Sequence, residues 1–408
     1  MIQADRQSQP VAAFLGAFDR MNYGDILLPI VLERSFERQL PGKFEFRFYG
    51  TIKSDLRAFG GRPTRAIRDL ANDRKLPPGS IAVVVGGEVL TQTWAAIHSF
   101  LRPRRTLFER FIRRRLGKPV FERFLRQRYA PSLRQPFVVE PRCFSAPVSV
   151  AYSSVGGVGL QKCPPWLQLN VHKCLRSAAF VSVRDKSTEK ALHDSTASLK
   201  CTLAPDAATL IGTLWPMPAL EPLLSEEAKQ LKSHLGGLKY ACFQCSLHHG
   251  SAHVGAIVQQ LKTLKALHGL ELVLLPIGRA YRHDDQVLLQ AVQEGLNGSA
   301  ILPTQNSIYD TMYLIANSSL FIGTSLHGHI TAMAYRVPSI ALSSVSDKLG
   351  NYLSTWYPND SCPFAELPAF QQPAAAALKL DRGYLNRIAE GVEERSGSNM
   401  SQLVRSCE

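Results

Sequence analysis

The chain contains no stretch approaching the ~18–20 continuous apolar residues of a membrane span,. Its opening ten residues are polar, and the apolar run behind them, Val11–Leu15, is too short for a secretory leader,. Together these absences make the cytoplasm the expected compartment. No GxxxxGK[ST] loop occurs, which argues against a P-loop phosphate cradle, and no GxSxG elbow, which argues against a hydrolase serine,. HExxH is missing as well. Cys242-Phe243-Gln244-Cys245 has metal or redox spacing, but no second pair completes a zinc site,. No bound metal is therefore expected. The eight cysteines are scattered and read as reduced thiols,. Within the strand-like KYACFQCSL, alternation puts Ala241, Phe243 and Cys245 on one face, so these thiols are expected to be buried.

What is present describes a globular protein. The 408 residues are 45% apolar and 20% charged, enough for two domains,. Charge is unevenly placed. Between Arg102 and Arg134 twelve Lys or Arg face only Glu109 and Glu122, so this segment carries +10 of the chain's +14. Its apolar residues recur at helical spacing (Leu107, Phe108, Phe111, Ile112 and Leu116, then Val120, Phe121, Phe124 and Leu125). A solvated helical pair fits this pattern. So does a helix hairpin lying on anionic lipid, with aromatics inserted and arginines at the head groups. Nucleic acid is the least favoured partner, since no recognised motif for it accompanies the patch.

Strand-like and helix-like segments alternate along the chain, which predicts doubly wound, mostly parallel sheets. In the first half the predicted strands are Val11–Phe18, Lys43–Tyr49, Ile81–Val85, Pro147–Ser154, Phe180–Arg184 and Cys201–Pro205, with a helix over Arg62–Leu70 and a flexible loop over Val155–Gly159. Gly212–Pro222 holds three prolines and no periodicity, and reads as a linker. In the second half the predicted strands are Tyr240–Ser246, Leu270–Ile277, Ala300–Leu302, Leu320–Ile322 and Ser339–Leu342. The expected organisation is therefore an α/β domain over 1–211 (with a basic helical insertion about 100–135), a second over 223–360, and a helical tail over 361–408. Leu385–Glu394 reads as helix and the residues from Ser396 as frayed. Two Rossmann-like domains joined in this way would face each other across a cleft.

The central stretch is Leu320–Tyr335, a buried strand that turns at Gly323 into a helix. His327 and His329 lie in the helix's first turn, and Thr324 and Ser325 can cap it. A strand-to-helix turn presents backbone N–H groups to anions. Other polar residues fall at predicted strand ends: Asn22, Gly24, Asp25, Gly86, Gly87, Arg184, Asp185, Asp206, His248, His249, Arg279, Arg282, His283, Asp347 and Lys348. This set is rich in cations and suits an anionic substrate.

Taken in order, five segments resemble the polysaccharide pyruvyl transferase family. They are Asn22-Tyr23-Gly24-Asp25 after the first strand, VVVGG ending at Gly87, VSVRDKS over Val181–Ser187, PDAATL over Pro205–Leu210, and FIGTSLHGHITAMAYRVPSIAL over Phe321–Leu342, with Lys348 downstream. The resemblance implies a GT-B-like fold. It also implies transfer of the enolpyruvyl carbons of phosphoenolpyruvate onto a saccharide hydroxyl pair as a ketal, in the synthesis of an exopolysaccharide or cell-surface glycan. No cofactor is needed, because phosphoenolpyruvate is the donor substrate. The acceptor would be a saccharide, lipid-linked in the fullest version of this reading, with the 102–134 patch holding the enzyme to the inner membrane face.

On this reading His327 carries proton transfer or a phosphate contact, and Asp25 orients or deprotonates an acceptor hydroxyl. Arg184, Lys348 and Arg279, with Ser325 and Leu326, would meet the anionic donor. Asn22, Gly24, Gly86, Gly87 and His248 would line the acceptor side. Two departures stand out. Many relatives have Arg where this chain has Ser325, which removes a bidentate anion clamp; Arg279, Arg282 or Arg336 would have to compensate. Glu88 replaces a third glycine. A nucleotide-sugar glycosyltransferase and a non-catalytic glycan-binding relative are the competing readings.

Overall fold

A computed structural model describes residues 9–102, 106–195, 199–279, 284–342, 348–358 and 361–407. The strands are β1 Val11–Leu15, β2 Glu45–Gly50, β3 Ser54–Asp55, β4 Pro63–Ala66, β5 Ile81–Val84, β6 Gly87–Glu88, β7 Ser149–Gly156, β8 Phe180–Val183, β9 Thr202–Leu203, β10 Tyr240–Gln244, β11 Glu271–Leu274, β12 Leu320–Gly323, β13 Ser339–Leu342 and β14 Phe364–Ala365. They form two sheets. The first has the order β3-β4-β2-β1-β5-β7-β8-β9, with β6 also on β7, and the second the order β11-β10-β12-β13-β14. Every pairing is parallel except the short β3–β4 edge.

The central strands are apolar on both faces because helices cover both. Along β1, Ala12 and Phe14 enter one apolar cluster while Val11, Ala13 and Leu15 enter another. In β10 the same two-residue period sends Cys242 to one side and Ala241, Phe243 and Cys245 to the other. Both thiols are free and buried, and burial pushes the Cys245 thiol up to about 12. Neither is poised as a thiolate.

The largest apolar cluster is shared between the two halves. It takes Phe14, Leu27 and Phe36 from the first and Phe321, Ile330 and Tyr352 from the second. The helix Tyr23–Gln39 is buried along most of its length within it.

Four sequence expectations are corrected. The segment over 63–66 pairs as β4, and the helix begins only at Ile67. Val155 and Gly156 belong to β7 instead of a flexible loop. The proline-containing segment over 212–222 is a run of short helical turns, not a loose linker. Leu214, Trp215 and Leu220 are buried in it, with Arg34 stacked 4.7 Å over the Trp215 ring. The tail does not fray at Ser396: one helix runs Arg382–Arg405, capped by the Asp381 side chain. Ser396, Asn399, Met400, Leu403 and Val404 are buried on its inner face, and Asn399 Nδ2 donates to Ser154 Oγ of β7 at 3.3 Å. Charged composition on one face concealed an apolar stripe on the other.

The basic insertion is helical, over Leu107–Phe111 and Gly117–Tyr129, joined by a π-turn at Ile112–Leu116. Phe108 meets Phe124 at 5.8 Å between ring centroids, so the two segments fold back on one another. Ile112, Phe121 and Leu125 anchor the pair in the core, while Phe108, Phe111, Leu116 and Val120 remain exposed. The preceding helix, Trp94–Leu101, packs on this insertion: Trp94 stacks on Tyr129 at 5.8 Å, and buried His98 Nδ1 lies 2.7 Å from Tyr129 Oη. No helix among the described residues is long and apolar enough to cross a membrane.

Candidate active site

The carboxyl ends of the parallel strands in both sheets converge on one cavity of about 190 Å³. This is where α/β sheets bind ligands. The first sheet contributes Arg20, Asn22 and Asp25 after β1, Gly86, Gly87 and Glu88 after β5, and Arg184 after β8. The second contributes Ser246 and His249 after β10, Ile277, Gly278 and Asp285 after β11, and Thr324–His327 with Lys348 after β12 and β13.

The Asn22–Asp25 segment locks the two walls together. Asn22 pairs with Gly278 in an isolated antiparallel bridge, Tyr23 N donates to Ile277 O at 3.0 Å, and Tyr23 Oη meets Thr331 Oγ1 at 2.7 Å. Asn22 caps nothing with its side chain and faces the cavity. Gly24 packs against the His327 ring so closely that a Cβ there would lie 1.9 Å from Nδ1. Gly24→Ala is therefore expected to displace His327 and to cost about 1–3 kcal/mol of stability, as overpacking does. Urea unfolding and turnover measured on the same variant check both effects. Wild-type values for both would show that the imidazole does not depend on this contact.

Behind His327 lies a buried charge network. Asp206 Oδ2 accepts from Arg184 Nη1 at 3.1 Å and lies 3.6 Å from His327 Nε2, an ion-pair distance longer than a hydrogen bond,. Its Oδ1 accepts from Ala208 N at 3.1 Å. Burial alone would raise the Asp206 carboxyl, but His327, Arg184 and the Ala208 N–H outweigh it and hold it at about 2. Arg184 also donates through Nη2 to Glu88 Oε2 at 2.9 Å. Burial opposes its charge, and Glu88, Asp206 and Asp185 more than reverse that, holding it above its ordinary value. Glu88 accepts in addition from Val158 N at 2.6 Å. Gly156 makes this pairing possible, since a Cβ there would fall 2.5 Å from Glu88 Oε2 and 2.8 Å from Arg184 Nε. Gly86 and Gly87 both have positive φ, which lets the chain turn beneath the ligand space,. Glu88 therefore stands as a partner that compensates Arg184.

On the other wall Ser325 caps the helix Leu326–Ala334 by accepting from Gly328 N at 3.3 Å. Buried Leu326 lies beneath it. His329 is a core residue: Nε2 donates to Gly323 O at 2.9 Å and Nδ1 faces Ser339 Oγ at 3.1 Å, and burial holds it neutral, down at about 4. Gln244 bridges Thr324 and Asp285. Asp285 Oδ2 also accepts from Ile277 N and Gly278 N at 3.0 and 2.9 Å, yet burial carries its carboxyl up to about 7. Burial raises Asp25 and Glu88 too. Arg20, His327 and Lys348 pull Asp25 back, and Arg184 pulls back Glu88. Carboxyls whose proton affinity burial raises, set beside cations and an imidazole, are the equipment of proton transfer.

Three sequence candidates lie elsewhere. His248 is exposed and outside the cavity lining, where its neighbour His249 takes the place, with Nδ1 2.7 Å from Ser246 Oγ. Arg279 turns away to Thr304 O at 2.8 Å and Asn306 Oδ1 at 2.9 Å, bracing a turn. Arg336 is likewise committed, to Glu393 at 3.2 Å. Arg282, His283 and Asp347 lie outside the described residues. Sequence reasoning missed Arg20, Gln244 and Asp285.

A family model described as polysaccharide pyruvyl transferase matches residues 22–346. The chain belongs to that family. Its activity class is accordingly that of a transferase. A search of curated proteins matched none. Among solved structures, a UDP-GlcNAc 2-epimerase from Neisseria meningitidis, bound to UDP-GlcNAc, is 10% identical over 98% of this chain and 99% of its own, with a TM-score of 0.52. A second from Rickettsia bellii is 10% identical over 98% and 95%, with a TM-score of 0.53. The N-terminal domain of Candida albicans trehalose-6-phosphate phosphatase is 9% identical over 100% and 98%, also at 0.53. At such identities the likeness is one of fold: the pyruvyl transferase chain has the GT-B-like α/β architecture.

Proposed function

We propose that this family member transfers the enolpyruvyl group of phosphoenolpyruvate to two hydroxyls of a saccharide, as a ketal. One observation carries the reading: Arg20, Lys348 and His327 converge with Asp25 in a cavity built from the strand ends of both sheets. The cations suit a donor with a phosphate and a carboxylate. Balance requires that one hydroxyl oxygen attack C2 while C3 gains a proton. The second oxygen then bonds to C2 as the C–O bond to phosphate breaks. The two hydroxyl protons account for the new methyl hydrogen and for the proton on the released phosphate. His327 is assigned the proton delivery or the leaving phosphate, and Asp25 the acceptor hydroxyl.

Phosphoenolpyruvate is expected to raise the melting temperature by mass action, and phosphate should be released only when a saccharide acceptor is present. Stabilisation by a nucleoside diphosphate in its place would favour a nucleotide-sugar transferase. Binding without turnover of any donor would favour a glycan-binding relative.

The acceptor is assigned to the lipid-linked class and the enzyme to the inner membrane face. The insertion supports this, since Phe108, Phe111, Leu116 and Val120 are exposed among arginines. Its supporting helix Trp94–Leu101 sends Ile97 and Phe100 into the cavity wall. Each arginine near an anionic surface contributes about 1 kcal/mol. Co-sedimentation is expected with vesicles containing phosphatidylserine and not with phosphatidylcholine alone, and Phe111→Asp should weaken it. Equal recovery with both vesicle types would overturn the assignment.

A further inference from the structure

The loss of an arginine at position 325 leaves open which group grips the donor's negative charge. Arg184 does not fill that role with its full charge, because its two terminal nitrogens already donate to Asp206 and Glu88. Arg279 and Arg336 are engaged outside the cavity.

Arg20 differs from all of these. It follows β1, lines the cavity, and keeps only 8% of its side chain exposed. Its Nε and Nη2 are shut from solvent and hydrogen-bond to nothing among the described residues. The nearest carboxylate, Asp19, approaches Nε at 3.3 Å without forming a hydrogen bond. Asp19 is itself held by Thr51 N and Ile52 N on Oδ2, at 2.6 and 3.1 Å. The guanidinium lies over the Phe100 ring at 5.3 Å from its centroid, which fixes its plane,. A buried guanidinium with open donors is costly unless an acceptor arrives. The cavity is where one can arrive.

We propose that Arg20 is the anion clamp of this enzyme, taking a carboxylate or phosphate of the donor and replacing the charge absent at Ser325. The inference rests on the pyruvyl-transfer reading for the donor's identity but not for its charge. The planar fork suits two parallel N–H···O bonds to one anionic group. Asp19 and Phe100 orient the fork, and Lys348, His327 and Asp25 line the same cavity. Arg20 and Ser325 stand on opposite walls of the cavity. Their exchange of roles would keep the donor in place while moving its grip from the second sheet to the first.

The test compares wild type, Arg20→Gln and Arg20→Lys by calorimetric titration with phosphoenolpyruvate, inorganic phosphate, pyruvate and UDP. Arg20→Gln is expected to weaken phosphoenolpyruvate binding about 10- to 100-fold, the scale of charge-assisted hydrogen bonds. Arg20→Lys should recover part of the loss, and the ligand-free melting temperature should not fall. KM should rise more than kcat falls. The fragment whose affinity drops, phosphate or pyruvate, identifies the group held. Undiminished affinity in Arg20→Gln overturns the clamp. Should wild type bind UDP and not phosphoenolpyruvate, the pyruvyl reading fails. The clamp is then decided by UDP: a tenfold loss in Arg20→Gln upholds it, and an equal affinity refutes it. Binding of none of the four by wild type refutes it as well.

Discussion

Replacing His327 by alanine is expected to lower pyruvyl transfer by ~10²–10⁴-fold, the contribution of a positioned proton donor or acceptor. The residue sits where three features meet: the first turn of the helix Leu326–Ala334, the closely packed Gly24, and the buried Asp206 carboxylate 3.6 Å from Nε2. A carboxylate behind an imidazole fixes the ring's orientation,. On the proposed reaction the ring gives a proton toward the donor or meets the departing phosphate. Phosphate release under saturating donor and acceptor reads the effect. Loss in kcat with little change in KM would mark a group acting in the transition state. A rate equal to wild type would remove His327 from the mechanism.

The second large effect is on stability. Asp206 is fully buried and neutralises part of the Arg184 charge, so Asp206→Ala leaves that guanidinium with fewer partners in a desolvated site. Removing one member of such a pair costs ~3–5 kcal/mol. Denaturant unfolding at neutral pH measures it, and a change below about 1 kcal/mol would show that Glu88 and Asp185 suffice. The same carboxyl predicts an acid limb. Its folded value of about 2 lies below the ordinary 3.8, so its ionisation favours the folded state. That contribution, about 2 kcal/mol by linkage, is fully present above pH ~4 and is lost as the pH falls through about 2. Asp206→Ala should abolish this part of the acid transition.

Much of the scaffold was legible because strand and helix periods survive in a single sequence. Ile81–Val84, Leu320–Gly323 and Ser339–Leu342 are apolar on both faces and can hardly be anything but central strands. The glycine pair at 86–87 and the Asn22–Asp25 turn then mark strand ends. Five features were not legible. Arg20 is one arginine among many, and only the tertiary fold shows that its guanidinium lacks acceptors. Asp285 opens a helix, where an acid ordinarily reads as a solvated end; its burial comes from the loop Ile277–Gly278 folding over it. The choice between His248 and His249 depends on the rotation of a single helical turn, which sequence spacing does not set. Glu88 looked like a broken glycine motif, and the fold shows it completing a charge pair across Gly156. The tail was misread because its inner stripe of Val392, Met400 and Leu403 is diluted by charged residues on the other face.

The helix Arg382–Arg405 has a mechanical consequence. The chain passes from the first sheet to the second after β9 and returns after β14, so the two halves are pinned at two places. This last helix reaches Ser154 in one half through Asn399 and Arg336 in the other through Glu393. Bodies joined at two points resist twisting and can only swing about the line between them, and here a common apolar core opposes the swing as well. The positive charges from both halves thus keep their spacing before any ligand enters. Little of the donor's intrinsic affinity is then diverted into closing the cleft, and its apparent affinity should approach that of the assembled site.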